Sequence, residues 1–135
     1  MKKTVKMMAA ATLVFSTVFV SSAFAANATF KGSLPAKQGD TEISTVARAN
    51  DSDVVKYFSI KITDIGAGYS SVRAFTERTN GANLSDPYTE VAADGAWHTV
   101  NYTTVPSSGT NVVLNLDNPV YVSTSVPVEG EWSPN

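Results

Sequence analysis

In the run VVKYFSIKIT, Val54 to Thr63, the apolar residues Phe58, Ile60 and Ile62 recur at every second position, with Tyr57, Ser59 and Lys61 between them. Successive side chains of an extended chain point to opposite faces, so this spacing describes a strand with one dry face and one wet one. NVVLNLD, Asn111 to Asp117, repeats the pattern: Val112, Leu114 and Leu116 share one face, while Asn115 and Asp117 take the other. Two such strands reward burial only if both apolar trios enter one core.

WHTVNYTT, Trp97 to Thr104, and SSVRAFTERT, Ser70 to Thr79, are strand-like through their β-branched and aromatic residues. Weaker candidates are Ala28 to Leu34, Glu42 to Arg48, Tyr88 to Ala92, Val120 to Thr124 and Val128 to Trp132. Turn residues separate them: Gly39-Asp40, Asn50-Asp51-Ser52, Gly66-Ala67-Gly68, Asn80-Gly81, Asp94-Gly95, Ser107-Ser108-Gly109 and Asn118-Pro119. Asp94-Gly95, lying between two strand-like runs, predicts a hairpin. No window carries sustained helical periodicity. About eight short, mainly antiparallel strands punctuated in this way predict an all-β fold, a single small β-sandwich, with a small barrel as the alternative.

The first residues follow a different logic. Lys2, Lys3 and Lys6 precede an apolar and small-residue stretch from Met7 to Val20, which ends in Ser21-Ser22-Ala23-Phe24-Ala25. A cationic start, an apolar middle and small residues at the cleavage positions are the three parts of a signal peptide. Residues 1–25 are therefore expected to form a signal-peptide helix, cut between Ala25 and Ala26, and residues 26–135 to form one secreted domain. An uncleaved anchor is the alternative, but the apolar run is shorter than the roughly 20 residues of a spanning helix. With no cysteine in the chain, a lipoprotein anchor, thiol catalysis, zinc–thiolate sites and disulfide frameworks are all excluded.

Ten basic residues stand against twelve acidic ones. Lys2, Lys3 and Lys6 leave with the leader, so seven bases face twelve acids in the mature chain, a formal charge of −5. Such a balance disfavours nucleic acid and anionic membrane as partners. The Asn27, Asn83 and Asn101 sequons are read as chance in a chain rich in Asn, Ser and Thr.

No catalytic constellation emerges. His98 is the single histidine, without a neighbouring nucleophile or further ligands, and no G-x-S-x-G elbow accompanies the many serines. Glu77, Glu90, Glu129 and Glu131 are the carboxylates from which a glycosidase pair would have to come. Asn50-Asp51-Ser52-Asp53, with Asp64 nearby, offers oxygen ligands for calcium near Asp51 and Asp53, although the full loop pattern is missing and turn Asp residues commonly bond their own backbone. No metal site and no cofactor are therefore expected.

The aromatic residues carry the functional question. If Val72 and Ala74 face the core, Arg73, Phe75 and Glu77 face outward; if Val100 and Tyr102 face the core, Trp97 is outward too. Arg73, Phe75 and Trp97 would then form a binding face, since exposed aromatics stack on sugar rings or anchor protein partners. The opposite register buries Phe75 and Trp97 in an ordinary sandwich core.

Val100 and Tyr102, Val113 and Asn115 before a proline turn, and the ending Val128-Glu129-Gly130-Glu131-Trp132-Ser133-Pro134-Asn135 resemble a family of small, functionally uncharacterised secreted proteins of Bacillus-like Gram-positive bacteria. That resemblance spans roughly the last 80 residues. It implies export and an all-β fold, and supplies no activity. The expected function is a non-catalytic extracellular binding module for cell-wall polymer, polysaccharide or protein, with no membrane partner once the leader is cut. A secreted antimicrobial or inhibitory protein is the alternative, and a small secreted hydrolase comes third.

Overall fold

A computed structural model describes residues 27–37, 39–50, 54–66, 68–120 and 123–135. The expected leader with its Ala25–Ala26 cleavage point lies outside them, as do Asp51 and Asp53 of the proposed calcium loop. Eight strands run in chain order as β1 (Ala28–Leu34), β2 (Thr41–Ala47), β3 (Tyr57–Ile65), β4 (Ser71–Arg78), β5 (Glu90–Ala92), β6 (His98–Asn101), β7 (Asn111–Asp117) and β8 (Val126–Ser133). Two four-stranded antiparallel sheets result, one ordered β1-β8-β3-β6 and the other β2-β7-β4-β5. The all-β, two-sheet expectation holds, and no helix occurs among the described residues.

The core forms where the two alternations meet. Phe58, Ile60 and Ile62 of β3 and Val112, Leu114 and Leu116 of β7 all enter one buried cluster, joined by Val72 and Ala74 of β4, Val128 and Trp132 of β8, and Leu34. Trp132 is fully buried and spans the sandwich, its Nε1 donating to Ser44 Oγ of β2 at 2.8 Å. Its ring meets Phe58 edge-on, 6.4 Å between centroids, an arrangement that suits the aromatic quadrupole.

Two bulges shape the sheets. β2 gains a residue between Glu42 and Ser44, and β3 gains one between Ile62 and Asp64. The extra residue bends its strand and increases local twist. Opposite the β3 bulge stands Gly130, paired with Ile62 on one side and Phe30 on the other. The Phe30 ring occupies the space where a side chain at Gly130 would sit.

One end of the sandwich holds Arg48, which is buried without an Asp or Glu partner among the described residues. Its Nε donates to Asn135 O at 2.7 Å, and its two terminal nitrogens donate to the carbonyls of Pro106 and Val55. The guanidinium also lies 5.2 Å from the centroid of the Tyr102 ring. Tyr102 in turn donates its hydroxyl to Pro134 O at 2.7 Å, and burial pushes that phenol well above its ordinary range. Main-chain oxygens and a ring face thus replace the solvent that a buried cation gives up.

The Asp94-Gly95 turn is not a hairpin. β5 pairs with β4 in one sheet and β6 pairs with β3 in the other, so the turn carries the chain across the sandwich. Chain order alternates between sheets at every connection except β4 to β5, and a turn-forming dipeptide specifies reversal without choosing the sheet that the next strand joins. The strand expected over Val120 to Thr124 is also absent at its described positions: Val120, Ser123 and Thr124 are bends. Pro119, which lacks a backbone donor for a ladder, directly precedes it.

Candidate aromatic binding face

Turn chemistry at Asp94 places Trp97. Asp94 Oδ1 accepts from Ala96 N at 2.9 Å and contacts His98 Nε2 at 2.8 Å, and those hydrogen bonds hold its carboxyl below the usual range. Gly95 adopts φ 75° and donates its N–H to Ile62 O at 3.1 Å, which pins the turn to β3. That left-handed conformation is open to glycine at little steric cost. β6 then begins with a settled register: Val100 pairs with Phe58 and faces the core, while Thr99 and Asn101 pair with Ser59 and Tyr57 on the outer face.

Trp97 continues that outer row. It is 43% exposed, and Lys61 Nζ sits 5.1 Å from its ring centroid. Lys61 Nζ also pairs with Glu131 Oε1 at 2.7 Å, and Glu131 stands opposite Thr29 of β1. A single row therefore runs from Trp97, directly before β6, across β3, β8 and β1: Trp97, Lys61, Glu131, Thr29. Neighbouring strands lie about 4.8 Å apart, so the row spans the sheet's width with an aromatic plate at one end. In the next row Lys31 pairs with Glu129, which faces Asp64. Between the rows a shallow depression of about 450 Å³ is lined by Thr29, Lys31, Thr63, Glu129 and Glu131 over a floor of Phe30 and Gly130.

The lysine holds the indole from one side through attraction to the ring quadrupole. Both glutamates of the face are engaged by lysines. The surface offers hydroxyls, ammonium and carboxylate groups in fixed positions, beside a ring that can stack on an apolar sugar face or a side chain.

The other expected members do not join Trp97. Arg73 and Phe75 belong to β4, in the opposite sheet. Phe75 is only 3% exposed, so the expectation that it faces solvent is overturned. It does point away from the shared core, as the alternation implied, and pairs directly with Asn115 on the central strand β7. Residues around it on that outer face, including Val113, Asn115 and Asp117, are themselves buried. A central strand has neighbours on both sides, and long side chains such as Arg73 and Glu77 cover apolar surface with their stems. Arg73 is half-buried, with Nη1 3.6 Å from Asp117 Oδ2 and its guanidinium 5.7 Å from the Tyr88 ring. Trp97 thus takes the exposed outcome, while Phe75 is buried without the change of register that burial in the shared core would have required.

The four glutamates considered for glycoside hydrolysis divide between the sheets, Glu77 and Glu90 on β4 and β5 and Glu129 and Glu131 on β8. Lys61 escaped the sequence reading as a site residue. The run VVKYFSIKIT marks it as outward, but nothing in that run says which strand carries its neighbour. Comparison with protein-family models and with curated proteins finds no match for this chain.

Proposed function

We propose that this chain is a secreted, non-catalytic binding module that engages cell-wall polymer, extracellular polysaccharide or protein through the outer face of the β1-β8-β3-β6 sheet. The observation carrying the reading is Trp97, a large apolar side chain held half in solvent among the polar side chains of Thr99, Ser59 and Glu131 and braced from one side by Lys61. The cationic start, apolar run and Ala23-Phe24-Ala25 ending support delivery outside the cell, with the ligand met there. Arg73 and Phe75 have no part in this face.

Purified protein should be retained on insoluble cell wall or immobilised polysaccharide, and Trp97→Ala should weaken that retention about tenfold or more while melting close to the parent temperature. Trp97→Phe, which keeps a smaller stacking ring, should fall between the two. Equal retention of parent and Trp97→Ala on every wall and polysaccharide matrix would refute this face as the binding surface.

A further inference from the structure

The β1-β8-β3-β6 sheet carries a second exposed aromatic on the side that holds Trp97. Alternation along β3 turns Phe58 and Ile60 into the core, so Tyr57, Ser59 and Lys61 point outward. β6 runs antiparallel beside them, with Asn101 opposite Tyr57 and Thr99 opposite Ser59. Trp97 is the next outward position on that side, level with Lys61, whose Nζ reaches its ring. Tyr57 is 38% exposed, close to the value for Trp97. Two half-wet rings therefore share one face, separated along the strands by the span from Tyr57 to Lys61, about 13 Å at the usual strand rise.

What lies between the rings points to the ligand. Ser59, Thr99 and Asn101 present hydroxyls and an amide there; Thr99 and Asn101 are exposed, and Ser59 is half-buried with its Oγ held by the Asn135 amide at 2.9 Å. Of the outward positions in this strip only Lys61 is charged, and Glu131 Oε1 pairs with it at 2.7 Å. An anionic polymer would meet no unpaired cation at these positions, in a chain that is itself net acidic, and like charge repels. A protein partner wants its aromatic anchors gathered in one dry patch at the centre of an interface, whereas hydrogen-bonding groups separate these two. A sugar chain matches both features. Its rings have apolar faces that stack on aromatic plates, and its hydroxyls pair with side-chain hydroxyls and amides.

Building on the binding face proposed above, we propose that Tyr57 and Trp97 are two stacking positions for an uncharged polysaccharide, which lies along β3 and β6 while Ser59, Thr99 and Asn101 hydrogen-bond the units between them. One monosaccharide reaches only one of two rings about 13 Å apart. An oligosaccharide long enough to bridge them gains the second contact as an intramolecular step, so affinity rises steeply with chain length.

Affinity electrophoresis through hydroxyethylcellulose, galactomannan, dextran and laminarin, with pull-down on chitin and cellulose, supplies the uncharged probes; polygalacturonate and hyaluronate are the anionic ones. At least one uncharged glycan should retard or retain the parent, with little change between about 0.05 and 1 M NaCl, and the anionic polymers should not. On that glycan Tyr57→Ala should weaken binding about three- to tenfold while melting near the parent temperature. Tyr57→Phe should bind like the parent, and Tyr57→Trp more tightly, a gain that a purely structural tyrosine would not give; these two carry the comparison if Tyr57→Ala melts early. A bridging oligosaccharide should compete at far lower concentration than its monosaccharide. Parent-like binding by a folded Tyr57→Ala, where Trp97→Ala is impaired, would overturn the two-ring site and leave the Trp97 face standing. Absence of binding to every uncharged glycan would overturn the proposal as well, and Trp97-dependent retention on an anionic polymer or on cell wall would then show that the face binds a different ligand.

Discussion

Gly130→Ala tests whether the bulge in β3 and the glycine opposite it form one device. A Cβ at Gly130 would lie 2.6 Å from Phe30 Cζ and closer still to the backbone carbonyl oxygen of Lys61. Real Cβ contacts essentially never fall under 3.0 Å. Phe30 can tilt, but the Lys61 carbonyl belongs to the sheet and moves only if β3 and β8 part. Overpacking of this kind costs about 1–3 kcal/mol, and more where backbone must shift, which places this site near or above about 3 kcal/mol. Restricting the unfolded chain returns about 0.4–1 kcal/mol, leaving a net loss of about 2 kcal/mol or more. At about 4–8 °C per kcal/mol for a domain of this size, the melting temperature should drop by about 10–15 °C. Gly32→Ala is the control: its Cβ would meet only the tip of Ile43, whose Cδ1 lies 2.8 Å away and can rotate, so its melt should stay within a few degrees. Adding Phe30→Leu to Gly130→Ala should recover little, because the carbonyl clash remains. Differential scanning calorimetry of the four proteins decides the matter, and a Gly130→Ala melt within about 2 °C of the parent would refute the reasoning.

Leu114→Ala, at a fully buried position between the sheets, should lose about 2–5 kcal/mol in chemical denaturation. Arg48→Met should lose about 3 kcal/mol or more, since it strands the carbonyls of Asn135, Pro106 and Val55; Arg48→Lys should rescue only part, lacking the planar fork. Burial raises the carboxyls of Asp117 and Glu77 above their ordinary range, with Asp40 adding to both. The folded state therefore binds protons more readily than the unfolded chain, and these two groups should add stability as pH falls from 7 toward about 5. Melts of Glu77→Gln and Asp117→Asn across that range should show a smaller rise than the parent.

Much of the fold is legible in the chain, because a strand's two faces are a local property. The spacing of Phe58, Ile60 and Ile62 and of Val112, Leu114 and Leu116 settles which side chains travel together, and the turn residues settle roughly where strands stop. Val100 and Tyr102 likewise tie Trp97 to the face opposite their own, but which of the two faces enters the core stays open until β6 is paired with β3. Period two does not say what lies against a face. Phe75 follows the alternation and points away from the core, yet it is buried, because it lies on a central strand flanked by β5 and by β7, the latter far away in sequence. Arg48 sits in a polar stretch that reads as exposed; only the convergence of Pro106, Val55 and Asn135 makes it an interior residue.

The same limit governs the candidate sites. That Trp97 lies on the face opposite Val100 follows from alternation along its own strand, but its exposure, the lysine beside it and the glutamate beyond depend on β6 joining β3 rather than β5. Asp94-Gly95 specifies a turn in either case. Asp117 and Asn118 look like an ordinary strand end before a proline until Arg73 of β4 is laid beside one and the Pro35 carbonyl of the β1–β2 connection beside the other. Alternation, turn chemistry and compartment are written in consecutive residues, where sterics and solvation act within a few ångströms of the chain. Strand order, burial on the outer faces and the partners of charged groups arise from segments brought together over many residues, and only the folded chain decides them.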